Sequence, residues 1–129
     1  MLVLVAVFVR ATAYEPPRPA PQIRLDAFGA VGDGLTDDSR GLQRALDYCS
    51  RLGATCYLPG DKTFLVTQPL FIWGKARLSG TGESGALVFN VPSAPYLLNV
   101  GISGRNRAAA PFGGEISGIN FRIAGGRGG

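Results

Sequence analysis

One amphipathic helix followed by many short apolar runs is the feature that most constrains what this chain of 129 residues can form. Between Asp37 and Leu52 apolar residues recur at helical spacing, and Gly53 then favours the end of a helix. Their stripe consists of Leu42, Ala45, Leu46, Cys49 and Leu52. Beyond Gly53, turn residues separate apolar runs that are typical of strands. The predicted strands cover residues 23–25, 55–58, 63–67, 70–73, 76–79, 86–91, 96–100 and 116–123. The pattern indicates a mostly β protein with one helix.

Acidic residues cluster immediately before this helix and at its start. Thr36 or Asp38 can cap the helix, and the carboxylates of Asp37 and Asp38 suit the positive end of its dipole. A carboxylate pair for acid–base catalysis is the alternative, but adjacent residues on a helix point about 100° apart and do not converge. Asp33 lies among glycines and is predicted to shape a turn. These carboxylates therefore favour local structure over catalysis.

A parallel β-helix is the architecture that best accounts for one helix ahead of many short strands. The end of such a stack has open strand edges, and a helix laid over them blocks their pairing. A β-sandwich or a barrel competes with it, but no Asn-Gly or Asp-Gly turn joins two alternating runs as a hairpin requires. A short repeat gives a further hint. Leu78-Ser79-Gly80 recurs as Ile102-Ser103-Gly104 at a spacing that suits a solenoid rung, and again as Ile116-Ser117-Gly118 at one that does not.

Composition excludes several kinds of chemistry. The chain has no histidine, which rules out Ser/His/Asp and Cys/His mechanisms and histidine-ligated metal sites. Its 13 basic and 9 acidic residues give a net charge of +4, which we interpret as a solvated surface rather than a stripe for nucleic acid or a polyanionic sugar. Cys49 and Cys56 can form a disulfide in an exported protein or remain free buried thiols, and alone they do not make a zinc site. No catalytic, cofactor-binding or metal-binding residue is predicted.

The first 22 residues have the composition of an export signal followed by a linker. In residues 1–13 an apolar run, Leu2–Val9, precedes Ala11-Thr12-Ala13, which is typical of a signal peptide and its cleavage site. A disordered or buried terminal strand is the alternative. The run is too short to cross a bilayer, which needs about 20 residues. Residues 14–22 are rich in proline and predict an extended linker. We therefore expect a secreted or extracellular protein with no membrane segment in the mature chain and with a domain over 23–129.

Two further motifs favour structure over binding. Gly80–Gly85 matches G-x-G-x-x-G, but a dinucleotide site needs a helix to begin there, whereas a strand is predicted to follow. Tyr57, Phe71 and Trp73 could stack on sugars, although core packing is the usual role of single aromatic residues in strands. We therefore predict turn glycines in the first case and packing in the second.

Residues 23–60 carry a resemblance to a known family. The matching runs are Asp26–Gly34, Thr36–Ser39, Leu42–Cys49 and Thr55–Gly60. In these runs the chain resembles the N-terminal segment of the pectate-lyase-like superfamily, and most of all its rhamnogalacturonase/epimerase-like pectate lyase domain. The resemblance implies a single-stranded right-handed parallel β-helix with one N-terminal capping α-helix. Because the family's catalytic residues lie on later rungs, 23–129 is expected to be a truncated N-terminal part of such a domain.

The resemblance also implies a function in carbohydrate metabolism. We expect the N-terminal fragment of a secreted β-helix protein, a polysaccharide hydrolase or lyase acting on pectin-like or other acidic glycans, which itself lacks the catalytic rungs. The alternative is a non-catalytic glycan-binding or structural module, as in adhesins and tailspikes. A third interpretation is a degraded or misassembled remnant, whose uncovered last rung predicts poor solubility or oligomers. Polysaccharide is the expected partner, and nucleic acid is not.

Overall fold

The computed structural model describes residues 21–82, 84–92, 96–103 and 106–124. The predicted signal segment 1–13 and nearly all of the predicted linker 14–22 lie outside these residues. The described part contains one helix, α1 (Ser39–Leu52), and ten strands. The strands are β1 (Gln22–Arg24), β2 (Asp33–Asp37), β3 (Thr55–Tyr57), β4 (Thr63–Val66), β5 (Leu70–Ile72), β6 (Arg77–Ser79), β7 (Ala86–Phe89), β8 (Leu98–Val100), β9 (Glu115–Ser117) and β10 (Phe121–Ile123).

The strands form three sheets, which the chain visits repeatedly in the same order. The first sheet has the order β1-β3-β6-β9, the second β2-β4-β7-β10, and the third pairs β5 with β8. Every pairing between these strands is parallel. The protein is therefore mostly β with parallel sheets, as the sequence predicts. Hairpins, which build sandwiches and up-and-down barrels, do not connect these strands.

The register of the first sheet corrects the interpretation of the sequence repeat. Leu78 pairs with Ile116 and Ser79 with Ser117, so the first and third copies of the repeat stack on each other. Ile102, in the second copy, forms an isolated antiparallel bridge with Ala109. The spacing between Leu78-Ser79-Gly80 and Ile102-Ser103-Gly104, which suits a solenoid rung, therefore does not correspond to a rung. The second copy lies in the connection between β8 and β9, before the chain returns to the first sheet.

Two strand predictions also differ from the structure. The run 116–123 was predicted as one strand, but it contains the end of β9 and all of β10, which belong to different sheets. Gly118, with a φ of 65°, turns the chain between them. Asp33–Asp37 was predicted as a glycine loop and a helix start, whereas it forms strand β2 along β4. Within it only Asp33 and Asp37 pair with β4, the register shifts between them, and four of the five residues are exposed, so β2 lacks the apolar alternation by which strands are recognised.

The apolar core lies between the sheets and α1. Along β4, β5 and β7 alternating side chains point inward, and they include Phe64, Ile72 and Phe89, each about 1% exposed or less. Burying one such side chain contributes about 1.5–3 kcal/mol. The inner face of α1 is also fully buried and comprises Leu42, Ala45, Leu46 and Cys49. Leu52, predicted in the same stripe, is 55% exposed, because it lies at the last residue of the helix.

Helix α1 begins two residues later than the sequence predicts and ends as predicted. Gly53 has a φ of 66°, and the Ala54 N–H donates to the Cys49 carbonyl at 3.0 Å. At the other end Asp38 occupies the N-cap position, but its side chain makes no capping hydrogen bond. Asp37 instead accepts the Ser39 backbone N–H at 3.1 Å. The prediction that the side chain of Thr36 or Asp38 caps the helix is therefore wrong. The Asp37 carboxylate accepts the first N–H group of the helix instead.

Candidate binding groove on the outer face of helix α1

Helix α1 lies along the edge of β5 that no strand of the described part of the chain pairs with. On its other edge β5 bonds the β8 segment, through Leu70 N–H to the Leu97 carbonyl at 2.9 Å. Phe71 points its backbone groups the opposite way, toward α1. Its N–H donates to Oε1 of Gln43 at 2.8 Å, and its carbonyl accepts from Nε2 of Gln43 at 2.9 Å. The side-chain amide of Gln43 thus takes the place of a neighbouring strand's peptide group.

Two serines of α1 extend this edge contact on either side of Gln43. The Thr67 N–H donates to Oγ of Ser39 at 2.8 Å. The Trp73 N–H donates to Oγ of Ser50 at 3.2 Å. Both serines are buried and lie one and two turns of the helix from Gln43, on the same face. Three side chains of one helix therefore bond the N–H groups of Thr67, Phe71 and Trp73 and the carbonyl of Phe71, which would otherwise be free to pair with another strand.

A polar groove of about 220 Å³ runs between the outer face of α1 and this segment. Its lining carries three guanidinium groups and one carboxylate. The lining residues are Ser39, Arg40, Gln43, Arg44, Asp47, Gln68, Pro69 and Arg107. A shallower depression continues past Arg44 to Phe28 and Arg51. Positive charge therefore dominates in the lining of the groove.

The carboxylate in the groove, Asp47, is held by neutral donors. Its Oδ1 accepts from Nε2 of Gln43 at 3.0 Å and from the indole Nε1 of Trp73 at 3.4 Å. Neither hydrogen bond involves an arginine. Arg40 and Arg44 are exposed and form no ion pair within the described ranges. Their guanidinium groups are therefore open to a ligand from solvent.

Arg107 reaches the groove from the chain between β8 and β9. Its guanidinium carbon lies 3.7 Å from the centroid of the Phe71 ring, a cation–π contact that fixes the side chain over β5. Among the described residues other than glycine, it alone has a positive φ, of 58°. This backbone conformation is uncommon for a residue with a side chain. Arg40 and Arg44 are recognisable from the sequence by their i, i+4 spacing, but tertiary structure alone brings Arg107 to them.

The predicted carboxylate cluster serves local structure. Asp38 is buried, and its two oxygens accept the backbone N–H groups of Val31 and Gly32 at 2.7 and 3.0 Å. Asp37 accepts Oγ of Ser39 at 2.6 Å and Oγ1 of Thr67 at 2.7 Å. Burial alone would raise the pKa of Asp37, but these hydrogen bonds outweigh it and lower the pKa below its usual range. The two carboxylates bond different groups, as expected for structural residues, but helix geometry is not the reason, because Asp37 and Asp38 both precede α1.

Asp33 shapes the turn that the sequence predicts. Its carboxylate accepts the backbone N–H groups of Leu35 and Thr36 at 2.9 and 2.8 Å and the Thr36 hydroxyl at 2.9 Å. Hydrogen bonds from Thr36 and Leu35 lower the pKa of Asp33. The hydroxyl of Thr36 is thereby engaged away from the helix start. Asp33 is thus a local backbone acceptor.

The remaining residues singled out in the sequence have structural positions. Gly80–Gly85 connects β6 to β7, and a strand follows it, as predicted for turn glycines. Tyr57, Phe71 and Trp73 are half-buried. Cys49 and Cys56 are free and fully buried, and the Cys56 thiol donates to the Ala45 carbonyl at 3.3 Å. A hydrogen bond to Cys49, together with burial, raises the pKa of Cys56, which keeps this thiol protonated.

Within the described ranges, no three or more histidine, cysteine, aspartate and glutamate side chains are grouped so that they could hold a metal ion. In the same residues no helix has the length and apolar character needed to cross a bilayer. Comparisons of the chain with protein-family models, with curated proteins and with solved structures find no match. The fold and the groove on α1 are therefore the observations that bear on the function of the protein.

Proposed function

We propose that this chain forms the first rungs of a right-handed parallel β-helix and is the N-terminal part of a secreted carbohydrate-active protein of the pectate-lyase-like superfamily. The observation that carries the proposal is the parallel pairing of β1, β3, β6 and β9 in one sheet, with the other sheets visited in a constant order. A solenoid of parallel strands presents long regular surfaces, and extended polymers such as polysaccharides suit such surfaces.

In this proposal α1 is the cap of the first rung. Its support is the set of hydrogen bonds that Gln43, Ser39 and Ser50 make to the outer edge of β5 and its flanks. An uncovered edge at this point would offer free N–H and C=O groups to another chain. A cap at the start of the solenoid therefore protects the protein from edge-to-edge association.

The proposal assigns this chain a binding role and assigns turnover to other parts of the protein. A glycoside hydrolase needs two carboxylates on opposite sides of the scissile bond, and a lyase needs a base and a cation at the uronate. Asp37 and Asp38 already accept backbone and hydroxyl hydrogen bonds, and Asp47 is held by Gln43 and Trp73. These carboxylates are committed to structure, so we expect the chain alone to bind acidic glycan without cleaving it.

Affinity electrophoresis combined with an activity assay tests this function. The chain would be run through gels containing polygalacturonan, rhamnogalacturonan or a neutral glucan, and incubated with each polymer while reducing ends and unsaturated uronides are measured. We expect retardation by the acidic polymers and no product. Retardation by none of the polymers would contradict the carbohydrate function, and product formation would contradict the assignment of turnover to other parts of the protein.

A structural module of an adhesin or tailspike is the second candidate. It is favoured by exposed apolar side chains on the last strands of the described part, where Val100 is 49%, Phe121 45% and Ile123 71% exposed. Such surfaces are typical of contacts between protein segments. A structural module would bind none of the polymers and would self-associate through these strands. Light scattering coupled to size-exclusion chromatography, together with the gels, separates the two candidates.

A further inference from the structure

We propose that the groove between α1 and residues 67–71 is a binding site for the carboxylate of an acidic sugar residue, with Arg40, Arg44 and Arg107 as the groups that hold the anion. The inference rests on the proposed function and deepens it, because it names the surface and the chemical group that are recognised. It concerns the outer face of the helix, where no catalytic step is proposed.

Charge is the first argument for an anionic ligand. The groove has three guanidinium groups against the single carboxylate of Asp47. Oδ1 of Asp47 accepts hydrogen bonds from the neutral groups of Gln43 and Trp73, and Arg40 and Arg44 form no ion pair within the described part of the chain. A guanidinium offers donors in a planar fork that matches a carboxylate, and such charge-assisted hydrogen bonds are among the strongest in proteins.

Preorganisation is the second argument. Arg107 is held over the Phe71 ring at 3.7 Å, so less side-chain freedom is lost when it binds an anion. Arg40 and Arg44 project from successive turns of a helix that is fixed to β5 by Gln43. A carboxylate entering the groove would therefore meet cations from both of its walls.

The neutral lining favours a sugar over other anions. The exposed Gln68 offers an amide group beside the arginines, which suits a ligand that carries hydroxyl groups next to its charge. The groove has a volume of about 220 Å³. Single-stranded nucleic acid is bound by stacking bases on aromatic rings, and none of the lining residues is aromatic. One face of the Phe71 ring in β5 is covered by Arg107.

Isothermal titration calorimetry with charge-matched variants tests the site. The probes are a galacturonate oligosaccharide, a neutral galactose oligosaccharide of equal length and a single-stranded DNA oligonucleotide. The double variant Arg40→Gln/Arg44→Gln removes two charges from the groove. The control Arg77→Gln/Arg122→Gln removes two charges from exposed positions on β6 and β10, outside the lining. All four arginine side chains are exposed, so we expect both variants to fold. Circular dichroism melts of each variant check this.

We expect the chain to bind the galacturonate oligosaccharide, the groove variant to bind it at least about tenfold more weakly, and the control to bind it like the original chain. Equal affinities of the groove variant and the control would overturn the site while leaving the glycan function intact. Equal binding of the neutral oligosaccharide would overturn carboxylate recognition only. Tighter binding of DNA would overturn the choice of a sugar ligand, and no binding of either sugar would overturn the site and the proposed function together.

Discussion

Replacing Gln43 by alanine tests whether α1 substitutes for a strand at the edge of β5. The substitution removes both hydrogen bonds to the backbone of Phe71 and one donor to Asp47. A typical intramolecular hydrogen bond contributes about 1 kcal/mol, and a backbone group left without a partner costs about 1–3 kcal/mol when it is buried. These contacts are part-buried, so water reaches some of the freed groups. The better helix propensity of alanine returns a few tenths of a kcal/mol. We expect a loss of about 2–3 kcal/mol.

Urea unfolding followed by circular dichroism measures this loss. With a slope of about 2 kcal/mol per molar urea, the midpoint should fall by about 1–1.5 M. Gln68→Ala is the matched control, because Gln68 is an exposed residue of the same type and makes no hydrogen bond within the described residues. Its free energy of unfolding should change by less than about 0.5 kcal/mol. If Gln43→Ala also stays within that range, the amide does not hold the edge of β5 and the reasoning fails.

Three further predictions concern single positions. Gly41→Ala should destabilise the protein despite alanine's helix propensity, because the added Cβ would lie 2.8 Å from the Ala30 backbone nitrogen. Gly113→Ala is the neutral control in thermal melts, because a Cβ added at Gly113 would have no atom of another residue within 4 Å. Asp37 has a lowered pKa in the folded state, so its contribution to stability is complete above about pH 5 and is lost as the pH falls through the unfolded and then the folded pKa. Asp37→Asn should flatten this acid limb of the urea stability. Cys49 and Cys56 are fully buried, so an aromatic disulfide reagent should label both thiols only in urea, and rapid labelling of the native chain would contradict their burial.

Sequence patterns predict the helix and those strands whose own residues show regular apolar spacing. Helix α1 is found because its buried residues repeat at helical spacing, and most strands are found because β-branched and aromatic residues alternate between turns. Strand β2 is missed since Asp33–Asp37 has little intrinsic preference for strand and is held by its pairing with β4. The two strands within 116–123 look like one because the apolar alternation continues past the turn at Gly118.

Less of the groove than of the fold could be predicted from the sequence. Ser39, Gln43 and Ser50 look like ordinary polar residues of a helix, and only the position of β5 reveals that their side chains bond backbone groups. Arg40 and Arg44 are exposed on α1, and their i, i+4 spacing can be read from the sequence. Arg107 lies more than sixty positions away and reaches them through the return of the chain after β8, which no local pattern indicates. A site assembled from distant segments depends on tertiary structure.

The parallel stacking of the first sheet is the claim on which the proposals depend, and nuclear Overhauser contacts between backbone protons test it most directly. In a labelled sample we predict contacts that place Cys56 beside Leu78 and Leu78 beside Ile116, with the three strands in one direction. Strong contacts between α-protons of facing residues, which only antiparallel neighbours give, or a Leu78 that neighbours Ile102 instead of Ile116, would contradict the fold and the carbohydrate function proposed from it.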